Sequence, residues 1–313
     1  MTRKVGIIGL GHVGAAIAHS LTAQGAVDEF VFIDIDDNKV NAEALDFEDA
    51  MANLEFNANY VVNDWSALAD ADVVISSVGK ISLQETITTD DRFVELQYNK
   101  LQIANISKKL VASGFKGILI VITNPVDVIT TMYQHYTGFP KERVIGTGTL
   151  LDTARMHRAV GKALGVHPKS VSGYNVGEHG DSQFTAWSTV TVKDKPITSY
   201  ELPLSELNDE VRIGGYTVYH GKKFTSYGIA SAASRLTKAI LTDSHEELPV
   251  SNFRPEYGVY VSYPVIVGRE GVIDHVSLDL LSDEQTKLDT SAGFIRERYE
   301  EVISELTKTE NIG

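Results

Sequence analysis

Through the first 146 residues, short continuous apolar runs alternate with longer helix-like stretches. "KVGIIG" (4–9), "FVFID" (30–34), "YVVN" (60–63), "DVVISSVG" (72–79), "ILIVIT" (118–123) and "RVIG" (143–146) are brief and rich in β-branched residues. Runs of this kind suit strands buried on both faces. The stretches between them, at about 12–25, 38–51, 91–113 and 126–136, predict helices. Strand–helix alternation implies a parallel sheet with helices on both sides, so residues 1–146 predict a doubly wound α/β domain.

Beyond Gly146 the rhythm changes. A helix is predicted over 149–165, followed by two adjacent strand-like runs, "SVSGYNVG" and "FTAWSTVTV", with no helix between them. Two helices follow at about 203–243. "LPVSNF", "GVYVSYPVIVG" and "GVIDHVSL" then read as a meander, and "SDEQTKLDTSAGFIRERYEEVISEL" reads as a closing helix. Residues 147–313 therefore predict a second, α+β domain. Repeats, low-complexity segments and long linkers are absent from the sequence, which predicts a tight seam between the two domains. Binding sites favour such seams.

Charge and composition narrow the function. A formal charge of −14 argues against nucleic acid, whose phosphates need a basic face. It also means that an anionic substrate would need arginines able to overcome an unfavourable field. With no cysteine, disulfides, thiolate metal sites and cysteine nucleophiles fall away together, as in a reducing cytoplasm. The nine histidines show no HxxxH or HxH spacing, and no metal site is expected. The N-terminal run imitates a signal peptide, but glycines and His12 interrupt it. No segment reaches the roughly 18 uninterrupted apolar residues of a membrane span. A soluble cytoplasmic protein is expected.

"GIIGLGHVG" supplies Gly9-x-Gly11-x-x-Gly14 directly after a strand and at a helix start. In such a turn the first glycine makes the bend and the second lets backbone approach a pyrophosphate. The third lets helix and strand pack closely. The helix N-terminus offers free N–H groups and a positive dipole end. Asp34 ends the next strand, twenty residues past Gly14, where a carboxylate would accept ribose hydroxyls and repel a 2′-phosphate. Motif, context and acid agree on NAD rather than NADP. The rival reading is a glycine turn beside a surface aspartate.

Other polar residues are ambiguous singly. Glu178-His179-Gly180-Asp181 is either a turn with a solvated histidine or a proton-transfer group awaiting a carboxylate. Asp152 and Arg155, three apart on a predicted helix, form either a surface ion pair or part of a site. Arg92 follows an acidic, turn-rich loop at a helix start, where a cation opposes the dipole. Asn124 precedes Pro125 at a strand's carboxyl end, either as a plain turn or where ligands bind in such sheets.

Taken together, "GLGHVG", "FIDID", "DDRFVELQYN", "ITNPVD", "IGTGTLLDTAR", "GEHGDSQ" and "FTSYGIA" resemble the L-lactate/malate dehydrogenase superfamily over almost the whole chain. The resemblance implies an N-terminal Rossmann domain, NAD as cofactor and a small 2-oxo or 2-hydroxy carboxylate as substrate. It implies that His179 is the proton donor and acceptor, Asp152 its orienting carboxylate, and Arg155 the clamp on the substrate carboxylate. Arg92 corresponds to the mobile-loop arginine that polarises the 2-oxo group. Asn124 corresponds to the amide near that carbonyl and the nicotinamide, its bond to Pro125 cis in the family. Thr225 and Ile229 match positions touching substrate and nicotinamide, and Val13, Gly79 and Ile122 match cofactor-lining positions.

Three departures bear on the substrate. "KISLQETITTDD" lacks the arginine that malate dehydrogenases carry for a second carboxylate. The loop from Gly79 to Arg92 is longer than in ordinary lactate dehydrogenases. Gly214-Gly215 stand where those enzymes usually have a small pair such as alanines, which implies a wider side-chain pocket unless the pair merely breaks a helix. These features resemble the L-2-hydroxyisocaproate dehydrogenase branch, acting on 2-oxo acids with branched or bulky side chains, with L-lactate dehydrogenase as the alternative. Where allosteric relatives bind fructose bisphosphate through two basic residues, this chain has His157 and Ser172, so no such activation is expected. The resemblance also implies a homo-oligomer, tetramer favoured.

Overall fold

The computed structural model describes residues 2–79 and 95–310. Lys80 and Arg92 lie outside the described residues. Six parallel strands follow the predicted runs: β1 (Lys4–Ile8), β2 (Glu29–Ile33), β3 (Asn59–Val62), β4 (Val73–Ser76), β5 (Ile118–Val121) and β6 (Val144–Gly146). Helices α1 (His12–Ala23), α2 (Asp37–Ala50), α3 (described over Leu96–Ser113) and α4 (Val126–Thr137) connect them. The spatial order β3-β2-β1-β4-β5-β6 reverses between β1 and β4. That reversal opens the crevice at the strands' carboxyl ends where ligands of doubly wound sheets sit.

Both faces of the sheet are apolar, which is why these strands read as unbroken hydrophobic runs. One face gathers Val5, Ile7, Phe30 and Ile75 with Ile17 and Leu21 of α1. The other gathers Val31, Val74, Leu119 and Val121 with Ile103 of α3 and Ile129 of α4. Fully burying each such side chain stabilises by roughly 1.5–3 kcal/mol.

The second half begins with α5 (Leu150–Leu164). The two adjacent strand-like runs resolve into two-residue pieces: β7 (Val171–Ser172), β8 (Asn175–Val176), β9 (Phe184–Thr185), β10 (Thr191–Val192) and β11 (Lys195–Pro196), paired in two small sheets. The first run is interrupted at Gly173 and ends at Gly177, whose φ of +103° and +92° a side-chain-bearing residue rarely adopts. Then follow α6 (Leu204–Lys222), α7 (Tyr227–Leu241), β12 (Glu246–Arg254), β13 (Val259–Gly268), β14 (Gly271–His275) and α8 (Ser282–Glu310).

The predicted meander exists, but it is not confined to a separate sheet. β12 pairs with β6 through Ser251 and Gly146, so one nine-stranded sheet crosses from the first half into the second. The cause is a shared core: Leu248, Val250, Val265 and Val267 bury against the same cluster as Val5 and Ile145. α7 packs on α1 in that cluster through Leu236 and Ile240. Among the described residues no helix is long and apolar enough to cross a membrane.

Candidate active site

The glycine turn after β1 is built as its spacing predicts. Gly9 has φ +93°, and a Cβ on Gly14 would lie 1.9 Å from the Gly9 carbonyl oxygen. Only glycine allows that approach of helix to strand. Gly11 is different, since a Cβ there would meet nothing within 4 Å. Its backbone borders open space. The α1 N-terminus carries neither a capping side chain nor an acid in its first turn. Its first N–H groups are of the kind a helix end presents to an anion. Asp34, at the end of β2, accepts from the Leu10 N–H at 2.7 Å and from the Asp36 N–H at 3.1 Å. Its carboxylate is thereby fixed beside the turn, and the residues fit a dinucleotide with a free 2′-hydroxyl.

The other positions expected to line a cofactor lie at or near element ends. Gly79 follows β4, Ile122 follows β5, Val13 lies in the first turn of α1 and Ile229 in that of α7. The Asn124–Pro125 bond is cis. The main-chain carbonyl of Asn124 accepts from Asn99 Nδ2 at 2.8 Å, while its buried side-chain Oδ1 has no partner among the described residues.

The charged residues converge around α5. Asp152, 1% exposed, lies in the first turn, where an acid suits the helix dipole. Its Oδ1 accepts from Arg155 Nη1 at 2.7 Å, and its Oδ2 lies 2.5 Å from His179 Nδ1. The Arg155 and His179 side chains each keep 14% exposure, so both touch solvent-accessible space from a mostly buried setting. Nδ1 faces Asp152, so Nε2 is the ring nitrogen turned away from that carboxylate. The surface-ion-pair and solvated-turn readings both fail here, because one buried carboxylate joins guanidinium and imidazole. Gly215 of α6 lies against the same guanidinium, with a Cβ at that position 3.3 Å from Nη1 and Nη2. Since α6 runs unbroken through Gly214-Gly215, the pair is not a helix break. Thr225 sits half-buried in the link between α6 and α7.

A second carboxylate holds the histidine's main chain, and nothing in the sequence reading pointed to it. Asp127, buried in the first turn of α4, accepts from the His179 N–H at 2.7 Å and from Ser262 Oγ at 3.1 Å. The neighbouring Glu178 N–H donates to Ser291 Oγ of α8 at 2.7 Å. In the sequence Asp127 is one more acid at a helix start, the commonest place for one. Burial pushes its pKa up to about 6. The folded protein therefore takes up a proton as pH falls through 6, before the unfolded chain does, and gains relative stability over that window. Asp127→Asn should remove this dependence. The difference in Tm between variant and wild type should change between pH 7 and pH 4.5, and a constant difference across that range would contradict the assignment.

Comparison with known proteins bears on this geometry. The lactate/malate dehydrogenase NAD-binding domain profile matches residues 3–146, and that family's alpha/beta C-terminal domain profile matches residues 149–306. An L-lactate dehydrogenase of Mycoplasma mobile is 36% identical over 307 residues, covering 94% of this chain and 95% of the relative. L-lactate dehydrogenase 2 of Enterococcus faecalis is 37% identical over 297 residues, covering 90% and 92%. The crystal structure of the minor L-lactate dehydrogenase from Enterococcus mundtii, in a ligand-bound form, superposes with a TM-score of 0.90 at 36% identity. It covers 96% of this chain and 98% of that one.

Proposed function

Because the chain belongs to the lactate/malate dehydrogenase family and is an NAD-dependent 2-hydroxyacid dehydrogenase, we propose that it interconverts an L-2-hydroxy acid and its 2-oxo acid at the Asp152–His179–Arg155 cluster. The observation that carries this reading is the single buried carboxylate joining ring and guanidinium. Bound NAD supplies the hydride acceptor, or as NADH the donor. His179, protonated, gives its Nε2 proton to the alkoxide forming at C2 and takes it back in the reverse direction. Asp152 fixes the tautomer and balances the imidazolium. Arg155 holds the substrate carboxylate through parallel N–H bonds. Arg92, outside the described residues, is assigned to polarising the 2-oxo oxygen by resemblance alone. Asn124 and Thr225 border the substrate, and Gly9, Gly11, Val13, Gly14, Asp34, Gly79, Ile122, Asn124 and Ile229 border the cofactor. The proposal divides the work between residues 1–146 for cofactor and 147–313 for substrate, and it takes the enzyme to be a homo-oligomer, tetramer favoured.

For the substrate, the names of the relatives support pyruvate and L-lactate. A second reading, 2-oxo acids with branched or bulky side chains, draws on one specific observation: Gly215 places no Cβ of its own against the Arg155 guanidinium. A pocket resolves one methylene by only ~1–3 kcal/mol, so either enzyme would show some activity on the other's substrate. The test is kcat/KM for pyruvate, 2-oxoisocaproate, phenylpyruvate and oxaloacetate with NADH. Tenfold or greater preference for pyruvate supports the first reading, and the same preference for 2-oxoisocaproate or phenylpyruvate supports the second. Preference for oxaloacetate would overturn both. Fructose bisphosphate activation is not expected. His157 Nε2 donates to the Gly173 carbonyl at 2.9 Å and burial lowers its pKa, which disfavours the charged ring that an anion would need.

A further inference from the structure

His12, the first residue of α1, follows Gly11 directly, and its ring lies flat against that of Phe224. The centroids are 3.9 Å apart and the planes 9° from parallel. Phe224 belongs to the short link between α6 and α7. That link is held firmly at both ends. Lys223 takes a left-handed conformation with its N–H on the Tyr219 carbonyl, and Lys222 Nζ bonds Ser226 Oγ at 3.0 Å while lying 3.9 Å over the Tyr227 ring. At the start of α7, a Cβ on Gly228 would lie 3.0 Å from Leu151, the residue before Asp152. A continuous path of packed groups thus runs from the glycine turn through one ring pair and a pinned link to the helix that carries Asp152 and Arg155.

The stack is a particular kind of join. His12 is exposed, Phe224 is half-buried, and the two come from opposite halves of the chain. A core contact would be an ordinary explanation for two buried rings. An exposed imidazole on the anion-binding turn has no such need. We infer that His12 and Phe224 are a positioning pair that couples cofactor occupancy of the glycine turn to the placement of Phe224 within the α6–α7 link, so that cofactor and substrate bind cooperatively through it. Neither residue touches the reacting atoms. Fixing the His12 backbone against a pyrophosphate restrains its ring, and the ring holds Phe224 in place before the substrate arrives.

The inference rests on the proposed 2-oxo acid site, and its test separates the two. Oxamate, an unreducible isostere of pyruvate, would be titrated calorimetrically with and without saturating NADH, and NADH itself by fluorescence. The ratio of the two oxamate affinities measures the coupling. In Phe224→Ala the ratio should fall by roughly three- to tenfold, the range expected for one aromatic pair. His12→Ala should do the same, and the double variant should lose no more than either single. Phe224→Tyr, which keeps the stack, should retain the wild-type ratio, and Phe224→Leu should match Phe224→Ala while filling the same space. Additive losses, or weaker binding of each ligand at an unchanged ratio, would overturn the inference while leaving the reaction standing. Failure of the wild-type enzyme to oxidise NADH with any 2-oxo acid would remove both.

Discussion

Asp152→Asn should lower kcat on a 2-oxo acid by about ten-thousandfold, in line with other carboxylate-backed histidines, while far-UV circular dichroism stays unchanged. Asparagine has the shape of aspartate, so the effect isolates charge and hydrogen-bond direction. The carboxylate accepts from two sides at once, from Arg155 on Oδ1 and at the His179 Nδ1 on Oδ2. An amide can accept on only one of them. If its NH2 turns toward Arg155, two donors face each other and the guanidinium loses its anchor. If it turns toward His179, the ring must present a bare Nδ1, which puts the proton on Nε2 in the neutral enzyme and removes the base needed for oxidation. In neither orientation does the imidazolium keep a counterion in a site where Asp152 is 1% exposed. The measurement is NADH absorbance under saturating substrate across a pH series. Turnover within tenfold of wild type would remove Asp152 from the proton-transfer machinery.

The fold was legible where sequence and structure share a local cause. The six parallel strands appear as apolar runs because helices cover both faces of the sheet, and Gly9 and Gly14 announce their turn because no other residue fits it. Legibility ended where the cause was long-range. Residue period cannot say which strand lies beside which, so the β6–β12 pairing that unites the halves was not foreseen. The site divided in the same way. Asp152 and Arg155 share one helix turn and were visible as a pair, but only a family resemblance could bring His179, 27 residues further on, to the same carboxylate. Asp127 was invisible for a physical reason. An acid in a first helical turn is explained well enough by the dipole, and only the fold turns its carboxylate toward the His179 N–H. His12 was noted in the sequence only as a polar interruption of an apolar run. Its partner Phe224 lies more than two hundred residues away.

Arg155→Lys preserves the charge and should still cost about 10²–10³ in kcat/KM, most of it in KM, because geometry rather than charge is what the guanidinium contributes. Arg155 already spends Nη1 on Asp152 at 2.7 Å. A planar five-donor fork can keep that bond and still offer parallel N–H groups to a substrate carboxylate. An ammonium is a point charge that must choose. If it stays on Asp152 the substrate loses its clamp, and if it moves to the substrate then Asp152 loses the partner that steadies it against His179. Gly215 adds to the demand, since the space beside the guanidinium matches a flat group and leaves a rounder one without lateral support. The split between parameters distinguishes this from loss of fold or of proton transfer. Raised KM with kcat reduced no more than tenfold marks a binding defect at the carboxylate, whereas an equal fall in kcat and kcat/KM would mean that Arg155 acts only in the transition state. KM and kcat both unchanged for every 2-oxo acid tried would place the substrate carboxylate somewhere other than Arg155.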